Sequence, residues 1–260
     1  MLNTYTSYDL ITRDMTRSID QVAKQPSVKR ESDYYLANIE NIKSIKDFLG
    51  NDRIFKYAMK AFGLEDMDYA KAFMKKVLTE GIDTTDAFAN KLTDQRYREF
   101  AATFNFARYG ETTTIFSRTQ QGTVDKYLRQ TLEQNAGDQN EGVQLALYFR
   151  RKASAGSITS WYSVLADKAL SKVVYTALGL PDSFATADID KQVAFFDSKL
   201  KLTDFTDATK LGTFLKRFTA LWETNNPTST AQTSVSVLFG QPAEYGISTD
   251  LLFAMQKMKF

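Results

Sequence analysis

The sequence contains no cysteine and no histidine, and each absence excludes a class of chemistry. Without cysteine there are no disulfides, no thiolate nucleophiles and no Cys/His zinc sites. Without histidine there is no Ser-His-Asp triad and no imidazole acid–base catalysis. We therefore expect no cofactor, no metal and no enzymatic activity. An enzyme that uses a carboxylate pair stays open as an alternative, since the 31 acidic residues could supply one, although no spacing singles out a pair.

A surplus of charge is also missing, because 33 basic residues balance 31 acidic ones to a net charge of +2. This balance argues against a dedicated nucleic-acid or anionic-membrane binder. No apolar run approaches the roughly 20 residues that cross a bilayer, and the first residues lack the basic and apolar regions of a Sec-type signal peptide. We expect a soluble protein without a transmembrane segment. It would be cytoplasmic, or exported through a route that reads no cleavable leader.

Proline and glycine are scarce, at 4 and 12 of 260 residues, which leaves room for long helices. Strand-like alternation of polar and apolar residues is hard to find, whereas apolar residues recur at helical spacing. A hydrophobic share of 43% with 25% charged residues is ordinary for a folded chain. The sequence predicts an all-α protein.

One segment of the sequence occurs twice. Aligned on Gly63 and Gly179, residues 48–66 and 164–182 share six identical positions. The shared residues are Leu49/Leu165, Lys56/Lys172, Ala61/Ala177, Gly63/Gly179, Leu64/Leu180 and Asp66/Asp182. The order of predicted helices around each copy is also the same. We therefore expect a compact helical array of two tandem pseudo-repeats with a C-terminal tail.

This interpretation divides the chain into five parts. They are N-terminal helices (1–43), helical repeat 1 (44–110), connecting helices (111–160), helical repeat 2 (161–224), and a polar connector with a C-terminal apolar helix (225–260). Within the first part, the pattern predicts one helix over residues 7–24. Within the third, the sequence NAGDQNEG at 135–142 predicts a turn.

The two ends of the chain are the candidate partner-binding elements. The predicted first helix has an apolar stripe, and the predicted last helix is strongly apolar. The stripe consists of Ile11, Met15, Ile19 and Val22, and the last helix offers Leu251, Leu252, Met255 and Met258. Intramolecular docking is the alternative. If these ends mediate assembly, the protein has protein partners and could self-associate.

The densest basic run is Arg150, Arg151 and Lys152. It could meet phosphate or an acidic partner. The simpler interpretation is a solvated helix end, where basic side chains interact favourably with the helix dipole.

Several segments resemble a bacterial family that is known only as a domain of unknown function. They are residues 34–49, 61–78, 145–181, 187–192 and 214–222, and residues 237–241 and 246–252 resemble the family's usual ending. The resemblance runs over nearly the whole chain, and it carries no catalytic signature. Genes of this family often lie within flagellar gene clusters.

The resemblance implies a non-enzymatic, flagellum-associated role but does not say which. Export, if it occurs, would then use a flagellar route without a cleavable signal. The leading hypothesis is a structural or assembly protein that acts through helix–helix contacts with protein partners, with flagellar components as the candidates. A cytoplasmic adaptor or chaperone for a flagellar client is the alternative within the same setting.

Overall fold

The computed structural model describes residues 2–227, and these residues form α-helices joined by short 3₁₀ turns, with no strand among them. The helices are α1 (Thr4–Arg13), α2 (Met15–Ala23), α3 (Pro26–Asn38), α4 (Ile45–Gly50), α5 (Asp52–Ala61), α6 (Lys71–Glu80), α7 (Phe88–Lys91), α8 (Gln95–Thr103), α9 (Phe106–Tyr109), α10 (Gln121–Gly137), α11 (Glu141–Ser154), α12 (Trp161–Ala166), α13 (Lys168–Leu178), α14 (Ile189–Lys199) and α15 (Ala208–Asn225). The all-α prediction is confirmed. The predicted tail, from residue 228 onward, and the predicted last helix lie outside the described residues.

Both copies of the repeated segment fold in the same order. A short helix leads into a longer one, a 3₁₀ turn follows, and then comes the next helix: α4, α5 and α6 in the first copy, α12, α13 and α14 in the second. The 3₁₀ turns are Glu65–Met67 and Asp182–Thr186. The pseudo-repeat is therefore a repeat of structure as well as of sequence.

Equivalent side chains begin equivalent helices in the two copies. Ser44 and Ser160 cap α4 and α12 by accepting hydrogen bonds from the backbone N–H groups three residues later, each at 3.1 Å. Asn51 caps α5, and Asp167 caps α13, again through side-chain oxygens. Such caps satisfy N–H groups that have no partner inside the helix. The duplicated sequence thus encodes where the helices start.

A glycine with positive φ follows the end of α5 and of α13. Gly63 has φ 68° and Gly179 has φ 67°. In this left-handed region a Cβ atom crowds the backbone, so glycine is the residue that ends the helix without strain. The two copies of the repeat therefore end this helix in the same way.

We expect Gly179→Ala to lower the free energy of unfolding by about 1 kcal/mol. No atom lies within 4 Å of the Cβ that alanine would add, so the loss would come from the backbone conformation alone. Gly212→Ala is the matched control: Gly212 lies within α15, also has open space around it, and has no positive φ. There alanine should add about 0.5–1 kcal/mol of stability. Urea denaturation of both variants measures the contrast, and equal effects of the same sign would contradict it.

The helix predicted over residues 7–24 is in fact two helices. Asp14, with φ −139° and ψ 82°, lies between α1 and α2 outside the helical region. Its side chain accepts a 2.9 Å hydrogen bond from the backbone N–H of Arg17 and so caps α2. Aspartate favours such caps because its short carboxylate competes for backbone N–H groups.

The turn predicted over residues 135–142 is shorter than predicted, because α10 continues to Gly137.

The buried apolar side chains form two clusters. The first is built from α2 to α9 and the first part of α10, and the second from Tyr8 of α1, the last turn of α10 and α11 to α15. Phe48 lies in the first cluster with its ring 4.8 Å from that of Phe104. In the second, the ring of Phe149 lies 5.1 Å from Phe205 and 5.2 Å from Phe214. Each copy of the repeat therefore lies in a cluster of its own, and α10 contributes to both.

Candidate functional site

The two ends of the described chain meet at one surface, where α1 packs against α15. The backbone N–H of Thr4 donates a 2.9 Å hydrogen bond to Glu223 Oε2, and its hydroxyl donates to the same oxygen. Asn140 Nδ2 donates a 3.0 Å hydrogen bond to Thr4 Oγ1. Thr4 is fully buried, so this polar contact fixes the start of α1 beside the end of α15. We call the region around this contact the terminal surface.

The predicted apolar stripe faces inward in this arrangement. Val22 is buried, and Ile11, Met15 and Ile19 are half-buried against the clusters, with Ile11 and Met15 touching both. These four side chains therefore dock within the chain, as the alternative had it, and their binding to a partner stays a prediction. Leu251, Leu252, Met255 and Met258 lie outside the described residues.

Other apolar side chains at the start of the chain are exposed. Leu2 is 57% exposed and Leu10 is 50% exposed, and Tyr5 is also exposed, with Lys216 Nζ 5.9 Å from its ring centre. These residues were missed in the sequence because the pattern predicted one continuous helix over residues 7–24, and the apolar stripe of that helix was assigned to partner binding. Tyr5 thus lies beside α15 at the terminal surface, and Leu2 and Leu10 are exposed apolar residues just before α1 and within it.

A second candidate site is a cleft of about 290 Å³ between the end of α5, α8, α10 and α11. We call it the basic cleft, because five cationic side chains but two carboxylates line its wall. The cations are Arg96, Lys126, Arg129, Arg151 and Lys152, and the carboxylates are Glu99 and Asp125.

A buried carboxylate holds two of these arginines together. Glu133 of α10 is 1% exposed. It accepts hydrogen bonds from Arg151 Nε at 2.7 Å and Arg151 Nη2 at 2.9 Å, and from Arg129 Nε at 3.2 Å. The two hydrogen bonds from Arg151 make a stronger interaction than the single one from Arg129, because two N–H groups of a guanidinium match the two oxygens of a carboxylate. One negative charge is therefore shared unequally by two positive ones.

The pKa values of the two arginines reflect this unequal sharing. Burial lowers the pKa of Arg129, and the Glu133 carboxylate only partly opposes this while the charge of Arg151 adds to it. Burial also disfavours the charged form of Arg151, but its hydrogen bonds to Glu133 outweigh burial and raise its pKa. Glu133 thus compensates the positive charge of Arg129 less completely than that of Arg151.

Two further ion pairs lie along the basic cleft, one joining α11 to the first copy of the repeat and one within that copy. Lys152 Nζ of α11 donates a 3.2 Å hydrogen bond to Glu99 Oε1 of α8. Arg96 forks onto Asp94 and also donates to the carbonyl oxygen of Gly63. Burial would raise the pKa of Asp94, but the hydrogen bonds from Arg96 outweigh it and lower the pKa.

The interpretation of residues 150–152 as a solvated helix end is right about the helix end but wrong about the solvation of Arg151 and Lys152. Arg151 and Lys152 do lie in the last turn of α11. However, Lys152 is only 7% exposed, and Arg151 is half-buried against Glu133. Packing of α8 and α10 on this turn buries Lys152 and half-buries Arg151, which the local sequence could not reveal.

No metal site emerges from residues 2–227, and several carboxyl groups there have lowered pKa values. No cluster of three acidic side chains that could hold a metal ion occurs there. Hydrogen bonds from Arg53 and Lys71 lower the pKa values of Glu31 and Asp52, and backbone N–H groups at the start of α15 lower that of Asp207. A general acid needs the opposite shift. None of the helices in this range is long and apolar enough to cross a membrane.

Comparison with known proteins identifies the family. The family described as "Protein of unknown function (DUF1217)" matches residues 61–211, which is more than half of the chain. The chain belongs to the DUF1217 family. The matched range includes every residue that lines the basic cleft of this DUF1217 protein, whereas α1 and most of α15 lie outside it.

The fold is similar to that of a solved structure. The X-ray crystal structure of protein AGR_C_984 from Agrobacterium tumefaciens matches with a TM-score of 0.79 and 49% sequence identity, covering 86% of this chain and 94% of that one. No curated protein matches the chain. The resemblance to a family of unknown function is thus confirmed.

Proposed function

We propose that this DUF1217 protein is a non-enzymatic, flagellum-associated structural or assembly protein that acts through helix–helix contacts at its terminal surface. The observation that carries the proposal is the packing of α1 on α15, which brings both ends of the described chain to one place. A protein that assembles through its ends gains from this arrangement, because one partner can contact both at once.

The exposed apolar side chains support the same surface. Leu2, Tyr5 and Leu10 offer a partner the apolar area that helix packing needs. The described chain ends two residues after α15, and Glu223 in the last turn of that helix contacts Thr4 at the start of α1.

The flagellar part of the proposal comes from the resemblance, which implies that setting through the position of the family's genes. A cytoplasmic adaptor or chaperone of a flagellar client would use the same surface. Recovery of the protein with extracellular flagellar filaments would favour the structural role, and a stable complex that stays in the cytoplasm would favour the adaptor.

We expect a strain without this gene to lose swimming in soft agar and to regain it with the wild-type gene. The double variant Leu2→Asp/Leu10→Asp should restore less than about half of the swim-ring diameter, since charges on an apolar contact oppose association. Both positions are exposed, so the variant should fold, which circular dichroism checks.

The matched control is Ile189→Asp, because Ile189 is 57% exposed on α14 and should tolerate the charge. Normal swimming of the deletion strain would overturn the flagellar role. Full restoration by the double variant, or equal failure of Ile189→Asp, would overturn the role of the terminal surface.

A further inference from the structure

The wall of the basic cleft carries positive charge that its own carboxylates do not cancel. Two carboxylates that do not line the wall pair with its arginines: Glu133 is buried and pairs with Arg129 and Arg151, and Asp94 pairs with Arg96. On the wall itself, Glu99 is engaged by Lys152, and Asp125 is exposed and accepts a hydrogen bond from Gln121. The acidic groups thus position the cations, and the cations remain to line the opening.

Arg129 keeps hydrogen-bond donors for a ligand. Its Nε donates to Glu133, and its two terminal nitrogens donate to no other residue in 2–227. Arg151 uses Nε and Nη2 for Glu133 and Gln130, which leaves Nη1. A guanidinium carries five N–H donors in a fixed plane, and buried donors favour a hydrogen-bonded partner. Two half-buried arginines with spare donors therefore face the same small space.

Lys126 adds charge at the rim of this space. It is exposed, and its Nζ lies 5.0 Å from the ring centre of Phe62, which also lines the cleft. Its position one turn before Arg129 on α10 places both side chains on the same side of that helix.

We propose that the basic cleft binds a phosphate group, either as the free anion or as the monoester of a small molecule, through Arg129 and Arg151 with Lys126 at the rim. Guanidinium forks bind tetrahedral oxyanions with paired hydrogen bonds, and the several oxygens of a phosphate can accept from the spare donors of both arginines at once. A volume of about 290 Å³ is at the small end of ligand pockets and suits such a group rather than a folded partner.

The site joins the first copy of the repeat to the connecting helices α10 and α11, so the bound group would stabilise the folded chain. Arg96 and the end of α5 come from the first copy, while Arg129 and Arg151 come from the helices that connect it to the second. Because a ligand that binds only the folded state raises the melting temperature, phosphate should do so in a saturable way at constant ionic strength.

The test is isothermal titration calorimetry of the full chain with inorganic phosphate and, separately, with glycerol 3-phosphate. We expect Arg129→Gln to weaken binding at least about tenfold, since a charge-assisted hydrogen bond is lost. Lys126→Gln should weaken it about threefold, and this variant cannot fail through misfolding because the side chain is exposed. Tighter binding of inorganic phosphate would assign the free anion as the ligand, and tighter binding of the ester would assign a phosphorylated small molecule.

The charge-matched control is Lys46→Gln, which removes an exposed lysine of α4 that does not line the cleft and should change affinity less than about twofold. Three results would overturn the proposal: no saturable binding of either probe up to about 10 mM, equal weakening by Lys46→Gln, or tighter binding of a hexaglutamate peptide than of both phosphate probes. The terminal surface is not involved in any of these outcomes.

Discussion

Replacing Glu133 with alanine is expected to lower the free energy of unfolding by about 3 kcal/mol. The carboxylate is buried and accepts three hydrogen bonds from Arg129 and Arg151. Its removal leaves two cations close together without their counter-charge, and breaking one partner out of a buried ion pair is strongly destabilising. The effect falls at the lower end of the usual range because both arginines reach solvent through the cleft. Urea denaturation followed by circular dichroism measures it.

Two companion variants separate this effect from the loss of any surface carboxylate. Glu141→Ala removes an acid that is also on a helix and also ion-paired, with Lys172, but is exposed, so we expect a change of less than about 0.5 kcal/mol. Glu133→Gln keeps the shape and one acceptor oxygen while losing the charge, and should fall between the two. If Glu133→Ala lowers the free energy of unfolding by less than about 1 kcal/mol, water must replace the carboxylate beside the arginines. This result would contradict the prediction, which requires that the carboxylate is buried.

The repeat could be predicted from sequence because its signals are local. A serine or an acidic or amide side chain before a helix, and a glycine after it, act within a few residues and recur in both copies at Ser44, Ser160, Gly63 and Gly179. Tertiary packing does not alter what such positions do. The break at Asp14 was equally local, but the apolar stripe across it pointed to one continuous helix and outweighed the cap.

The basic cleft could not be predicted, because its residues are far apart in sequence. Arg96, Arg129 and Arg151 lie on three helices, and only the last belongs to a basic run. Whether that run is solvated depends on α10 packing against α11, which buries Glu133 beside it. Glu133 itself gives no signal in the sequence, because Gln130, Gln134 and Asn135 make its surroundings on α10 as polar as those of a solvated acid.

Gly142→Ala is expected to lower the free energy of unfolding by about 2–3 kcal/mol through overpacking. A Cβ atom at Gly142 of α11 would lie 2.3 Å from Cδ1 of Trp222 on α15, far inside contact distance. The indole is buried and cannot swing away, since Phe218 packs at 5.8 Å and Lys172 lies 4.8 Å from the ring. The preference of helices for alanine offsets only part of this clash. Thermal and urea denaturation both measure the change.

Gly137→Ala is the matched control, because its added Cβ would meet the end of the flexible Gln144 side chain, which can rotate away. We expect a change within about 1 kcal/mol there. A double-mutant cycle with Trp222→Leu tests the cause directly: removing the indole should make Gly142→Ala at least about 1 kcal/mol less destabilising than it is in the wild-type background. Additive effects would mean that Gly142 of α11 and Trp222 of α15 are not in close contact. The packing that places the end of α15 beside α1 would then be wrong.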